Sequence, residues 1–369
     1  MNPGERIREV RRSRKVTQRQ LADYLGVTPS YVSHIEKGER NVSAELLYKI
    51  ARYLNVRMAT LMEESAPTSP FVQASRSVPD DVRPDVERCG RFHSNLWELE
   101  NLVCGRPVMG TLSRLSDLPT SPKKAATEVR TLLGWSWRHV VGGHDLLRAL
   151  GMHLISVFRL PLGTGIAGLS TRDAPSSIFV NTNMTPQRQI FTVAHELGHL
   201  VLHQRGVTLI ERARRKLADE EQADEFATEF LMPAELLHDL AWTLPESLDR
   251  VAGIRRIAQV MGLDPMAVLF RLDQLGRVSR NTLLDARKVM APATPEPVVW
   301  GTASFDPLAH LPDRYLLLAR IAFDRHDVTA ARLGELFAAG PDKAMEVYER
   351  LAAMDAPSED PEFYEVSVR

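Results

Sequence analysis

At 369 residues the chain exceeds one ordinary core and implies two or three domains; its 44% hydrophobic and 25% charged residues are those of an ordinary water-soluble protein. Two cysteines, Cys89 and Cys104, give no disulfide framework and no Cys-x-x-Cys metal knuckle. No N-terminal h-region is present and no apolar run nears the roughly 18 residues of a membrane helix, so a reducing, cytoplasmic setting with no membrane partner is expected. The net charge of −1 hides a split: the first 57 residues hold 12 Lys and Arg against 6 Asp and Glu, and the rest 34 against 41. A basic head on an acidic body points to a polyanion met by the head alone.

The head, residues 1–64, reads as five short amphipathic helices. Thr17 and Gln20 form a capping-box pair, Thr28-Pro29 starts the next helix and Gly38 ends it. Ala22, Gly26 and Val32 have the spacing of a helix-turn-helix: a small residue at the helix contact, a turn glycine, and a core residue on the second helix. Carried by Gln18-Arg19-Gln20-Leu21-Ala22 and Val32-Ser33-His34-Ile35-Glu36-Lys37-Gly38, about 60 residues resemble the lambda-repressor-like (Xre) DNA-binding family. That resemblance implies double-stranded DNA as partner. It puts Ser30, Tyr31 and His34 toward base edges, Val32 and Ile35 in the core, and Gln18, Arg19, Lys37 and Arg40 on phosphates.

Residues 65–88, with Pro67, Pro70, Pro79 and Pro84 among small polar residues, read as a linker. A mixed domain is expected over 89–240. Ser121-Pro122 opens a helix running to Leu133, short β-branched segments at Met152–Phe158, Gly165–Leu169 and Ser177–Asn181 read as strands, Thr185-Pro186 starts a helix to about His203, and another spans Leu217–Phe230 before Met232-Pro233.

Within the penultimate helix stands His195-Glu196-Leu197-Gly198-His199, an H-E-x-x-H pattern. At 3.6 residues per turn the two histidines share a face and can reach one tetrahedral zinc, while Glu196 projects about 100° away, where a carboxylate can act as general base on water. Together with Ile178–Asn181, Leu200–His203, Glu220–Ala227 and Leu231-Met232-Pro233, the motif resembles the ImmA/IrrE family of zinc endopeptidases over about 123–275. Members of that family cleave DNA-bound repressors in stress responses or mobile-element control.

A catalytic zinc needs a third protein ligand. The metzincin solution is closed, because Leu202 and Arg205 stand where Gly and His are required. Of the carboxylates Asp219, Glu220, Glu221, Asp224 and Glu225, we choose Glu220. It resembles the gluzincin ligand, it puts Asp224 on the same face to orient a ligating histidine, and it leaves Ala223, Phe226 and Ala227 to pack on the His195 helix. His203 lies roughly 12 Å along the helix from His195 and cannot share its ion. An oxyanion donor is not identified: all seven tyrosines lie outside 54–314, and His139, His144, His153, Arg188 and His238 read first as ordinary structural or surface residues.

Ala258, Gly262 and Val268 repeat the spacing of Ala22, Gly26 and Val32, giving a second helix-turn-helix-like pair over 241–290 whose second helix carries Arg271; core packing is favoured over DNA binding. Residues 291–369 read as helices suited to core packing or to a homodimer, then an acidic tail. The expected fold is mainly α, with a five-helix head, a zincin-like α+β domain with a small sheet, and a helical C-terminal region. The expected function is a DNA-binding regulator with one zinc per chain that cuts a specific protein, a repressor or antitoxin. A regulator or antitoxin whose metal domain only senses or binds is the alternative; the intact Glu196, which a sensor does not need, favours cutting.

Overall fold

The computed structural model describes residues 3–354 apart from 15, 41, 55, 57–60, 62–69, 113–120, 204–206, 212–217, 244–250, 282 and 286–304. It divides into two compact units, Met1–Gln73 and Ala74–Arg369.

The first unit holds α1 (Pro3–Ser13), α2 (Gln18–Leu25), α3 (Pro29–Glu36) and α4 (Ala44–Tyr53). Beyond α4, where the fifth expected helix must fall, 55, 57–60 and 62–64 lie outside the described residues. The local signals act as anticipated. Thr17 and Gln20 complete a capping box, Gly26 ends α2 at φ 69°, and the Thr28 hydroxyl caps α3 with Pro29 in its first turn. Val32 and Ile35 are buried beside Ile7, Leu21 and Ile50. A buried ion pair was not foreseen. Arg11 Nε meets Glu36 Oε1 at 2.5 Å, the Gln18 amide donates to Glu36 Oε2 at 2.7 Å, and Arg11 also donates to the Val16 carbonyl, so every charge carried inward is bonded.

The second unit continues α5 (Pro70–Ser77) and runs through α6 (Arg83–Cys104), α7 (Pro122–Leu132) and α8 (Gly143–Met152). The linker expected over 65–88 is therefore corrected: 70–77 and 83–88 are helical. Pro70 and Pro84 sit in first turns, where no backbone N–H is needed, so the prolines mark helix starts. Met152, expected to open a strand, closes α8 instead. This helix escaped notice because its N-cap is Gly142, with no side-chain signal.

β1 (Ser156–Leu160), β2 (Ile166–Thr171), β3 (Ser177–Asn181) and β4 (Val207–Glu211) form one sheet in the order β1-β3-β2-β4, parallel between β1 and β3 and antiparallel elsewhere. β4 had no counterpart in the sequence reading. Across the sheet lies α9 (Pro186–Leu202), and α10 (Ala218–Leu231) packs on α9 and α7, followed by α11 (Ala234–Thr243), α12 (Val251–Met261) and α13 (Pro265–Gln274). One core joins them: Val157 and Ile178 from the sheet, Ala194 and Leu197 from α9, Phe226 and Phe230 from α10, and Ile257 and Val268 from the second helix-turn-helix-like pair. α14 (Pro307–His310) packs on the outer edge strand β1, and α15 (Asp313–Asp324) on α6, followed by α16 (Ala330–Leu336) and α17 (Pro341–Met354). The buried Tyr315 hydroxyl donates to the Leu336 carbonyl, so this tyrosine is not offered to the centre below. The acidic tail, Arg205 and residues 291–304 lie outside the described residues.

Candidate metal centre

Two glycines set how closely α9, the helix of the H-E-x-x-H pattern, is approached. A Cβ on Gly198 would lie 3.1 Å from Phe226 Cδ1 and 3.2 Å from Ala223 Cα, so the bare backbone lets α10 close on α9. On the other side, a Cβ on Gly168 of β2 would meet Thr192 Cγ2 at 2.5 Å and Glu196 Oε1 at 3.1 Å. The helix carrying the motif is thereby held between a strand and a second helix, and His195, Glu196 and His199 are all buried.

From α10, Glu220 reaches the two histidines. His195 Nε2 and His199 Nε2 lie 3.0 Å apart, Glu220 Oε2 is 3.3 Å from His195 Nε2, and Glu220 Oε1 is 3.3 Å from His199 Nε2. Four ligands at about 2.05 Å from a tetrahedral zinc stand about 3.3 Å from one another. These three atoms therefore fit three corners of such a site, and they are the one His/Cys/Asp/Glu cluster of metal-holding geometry among the described residues.

The outer hydrogen bonds fix the tautomers. His195 Nδ1 meets Asp224 Oδ1 at 2.9 Å, and a carboxylate only accepts, so His195 carries its proton on Nδ1. His203 Nε2 faces Gln222 Oε1 at 3.2 Å, which makes that nitrogen the donor and leaves His203 Nδ1 to accept from His199 Nδ1 at 2.9 Å. Both Nε2 atoms then point bare lone pairs at each other beside a carboxylate. Three electron-rich atoms so close together call for a cation.

The charges follow the same geometry. Burial works against a charged His195, but the Asp224 and Glu220 hydrogen bonds and the Glu196 charge outweigh it and raise its pKa to about 9, so the cation held at its Nε2 is a proton until a metal displaces it. Burial likewise opposes ionisation of Glu220, yet the two imidazoles bring it down to about 2. Burial lowers His199. Glu196 is fully buried, and burial pushes its carboxyl up to about 8 against the opposing pull of His195 and the nearby Ser170 hydroxyl. Neither Glu196 oxygen has a hydrogen bond of ordinary geometry, to Ser170 or any other described residue, so this buried carboxyl calls for a partner from outside the chain.

Of the residues considered for the oxyanion, His139 stacks on Trp135, His153 bonds the Thr111 hydroxyl, and His144 lines a separate cavity; none bonds the His–His–Glu cluster. Asp224 also borders a cavity of about 640 Å³ walled by Phe191 and Phe270. The pair His203–Gln222 was missed as a unit. Its one sequence signal was His203 at i+4 from His199.

In the first unit Arg19, Ser30, His34, Lys37 and Arg40 are exposed and Tyr31 is half-buried with the Arg40 guanidinium 4.5 Å over its ring. His34 pairs with Glu39, and the Gln18 amide is taken by Glu36. Arg271 is buried, bonded to Glu229 and to the Met232 carbonyl, so α13 has no arginine to offer a nucleic acid.

The fold and site define a two-part protein, a helix-turn-helix head joined to a metallopeptidase-type body. A helix-turn-helix family profile matches residues 7–61 and an IrrE N-terminal-like domain profile matches 152–273. The chain is 31% identical over 111 residues to the HTH-type transcriptional regulator RghRB of Bacillus subtilis, covering 27% of this chain and 80% of that one. It is 27% identical over 145 residues to the metallopeptidase ImmA of the same organism, covering 38% and 82%, and 45% identical over 56 residues to an HTH-type regulator of Archaeoglobus fulgidus, covering 15% and 80%. The chain belongs to the helix-turn-helix transcriptional regulators and carries an IrrE-like peptidase-family domain behind that head.

Proposed function

We propose that this regulator binds DNA through its first unit and, in the cytoplasm, cuts one regulatory protein, a repressor or antitoxin, with its second. The observation that carries the reading is the triangle of His195 Nε2, His199 Nε2 and Glu220 oxygens beside a buried, unpartnered Glu196. Zinc held there would polarise the scissile carbonyl and acidify water. Glu196 takes the proton of the attacking water and passes it to the leaving amine. Asp224 and the His203–Gln222 pair hold the two imidazoles in the tautomers that leave Nε2 bare. Phe191 and Phe270 offer an apolar wall to a substrate side chain. No described helix is long and apolar enough to cross a membrane.

On DNA, Ser30, Tyr31 and His34 face base edges from α3, and Arg19, Lys37 and Arg40 hold phosphates. Gln18, with its amide bound to Glu36, contributes through its first-turn backbone N–H.

Glu196→Gln removes the base and keeps every ligand. Metal content and DNA binding are expected to stay at wild-type levels while cleavage of the target stops, and the inert variant should retain the target in pull-downs from its own cells. Proteolysis undiminished in this variant would sink the mechanism, and an identical proteome in wild-type and variant cells would leave the metal unit as a sensor.

A further inference from the structure

We propose that a cavity of about 660 Å³ bounded by α8, β1 and the α14–α15 segment binds a small organic anion, with its carboxylate or phosphate head on Arg148 and Arg159 and an apolar body against Leu147 and Met152. No member of the His195–His199–Glu220 cluster lines it. The site is separate from the peptidase reading and stands whether or not that reading holds.

The charge lining this cavity is one-sided. Three arginines, Arg148, Arg159 and Arg314, line it against a single acid, Asp313. Arg314 is already matched, its Nε donating to the buried Glu100 at 2.9 Å. The other two arginines are not. Arg159 donates only to neutral oxygens at long range, the Ala309 carbonyl at 3.3 Å and Gln189 Oε1 at 3.4 Å. Arg148 is exposed and makes no hydrogen bond or ion pair among the described residues. Elsewhere in this unit Arg271 is matched by Glu229, and Arg332 by Glu98 and Glu335. A half-buried fork of donors without a carboxylate is a receptor for one, and guanidinium geometry serves carboxylate and phosphate alike.

The remaining walls supply the second half of the recognition. Leu147, Ile155, Leu308 and Leu311 line the cavity, and Met152 at its rim is 76% exposed, the most solvent-open of the large apolar side chains described. Apolar walls with a few convergent polar groups, in a volume within the roughly 300–1,000 Å³ of small-molecule sites, describe an amphiphilic ligand better than a bare ion.

The test is isothermal titration of the full-length protein with AMP and with octanoate. One of them is expected to bind saturably at one per chain, and which one binds assigns the head group. Arg148→Gln and Arg159→Gln should each weaken binding about tenfold or more, the loss expected of a charge-assisted hydrogen bond. Arg106→Gln, at an exposed arginine that does not line the cavity, should change nothing. Because Arg159 also ties the Ala309 carbonyl, its variant can unsettle the segment. Arg148→Gln and Met152→Glu, both at exposed positions, keep the test clean, and the glutamate should repel the head. Saturable binding by neither compound, or binding unchanged in both Arg148→Gln and Met152→Glu, overturns the assignment.

Discussion

Asp224→Ala and His203→Ala remove the outer hydrogen-bond partner of one ligand each, and the structure ranks their costs. Asp224 Oδ1 accepts from His195 Nδ1 at 2.9 Å, a charge-assisted bond of the kind worth about 1.5–3 kcal/mol, and loss of such a partner lowers metal affinity about 10–100-fold. The Asp224 side chain is 38% exposed, so water takes over part of its role, and the lower half of that range, about 10–30-fold, is expected. His203 accepts from His199 as a neutral imidazole, and a neutral bond contributes about 1 kcal/mol, or about fivefold. Competition for zinc against a chromogenic chelator at fixed pH reads both numbers, and circular dichroism checks that α9 and α10 remain folded. Asp224→Ala within twofold of wild type, or a larger loss from His203→Ala than from Asp224→Ala, would refute the tautomer assignment on which the bare Nε2 pair rests.

Further expectations follow from the same geometry. Glu220→Ala should lower zinc affinity by orders of magnitude, while Glu221→Ala, about 100° round α10, should stay within a few-fold; the reverse result in the same titration means the helix register is wrong by one residue. His93 is buried against Ser177, and burial lowers its pKa to about 4. The unfolded chain takes up a proton as pH falls through about 6.5 and the folded chain only near 4, so stability is full above the first value and falls by about 3 kcal/mol between them. His93→Gln should flatten that acid limb in urea unfolding, and an unchanged slope would exclude His93 as its source. Arg19→Ala and Lys37→Ala should each weaken binding to all DNA sequences alike and reduce the salt slope by about 0.9, whereas Tyr31→Ala should relax sequence preference. Equal footprints for all three and wild type would defeat the proposed orientation of α3.

What was legible in the sequence is what the chain writes locally. Caps at Thr17 and Thr28 and the one-turn spacing of His195 and His199 depend on angles within one helix, and those angles vary little from protein to protein. The pairs that were missed bridge long separations: Arg11 with Glu36, and His203 with Gln222. Such partners are chosen by the packing of whole helices, which no local periodicity encodes. The misread linker has another cause. Proline is permitted both in loops and in first helical turns, and among small polar residues Pro70 and Pro84 carry no signal that separates the two.

The two helix-turn-helix-like pairs make the limit of local reading concrete. Ala22, Gly26 and Val32 recur in spacing as Ala258, Gly262 and Val268, and Thr28-Pro29 recurs in kind as Asp264-Pro265, where Asp264 Oδ1 accepts from Met266 N at 2.7 Å. The same code builds the same pair of helices, and the outward faces then diverge. On α3 the exposed positions include Ser30 and His34, with Lys37 and Arg40 just beyond; on α13 they are Phe270, Asp273 and Gln274. The one arginine within α13 points inward to Glu229 and the Met232 carbonyl, at the end of α10. Since α10 also carries Glu220 and Asp224, α13 braces from its far end the helix that brings Glu220 to the two histidines. A motif shared with DNA readers thus packs here against the helix that completes the His–His–Glu cluster, and its outward face is set by where one guanidinium points.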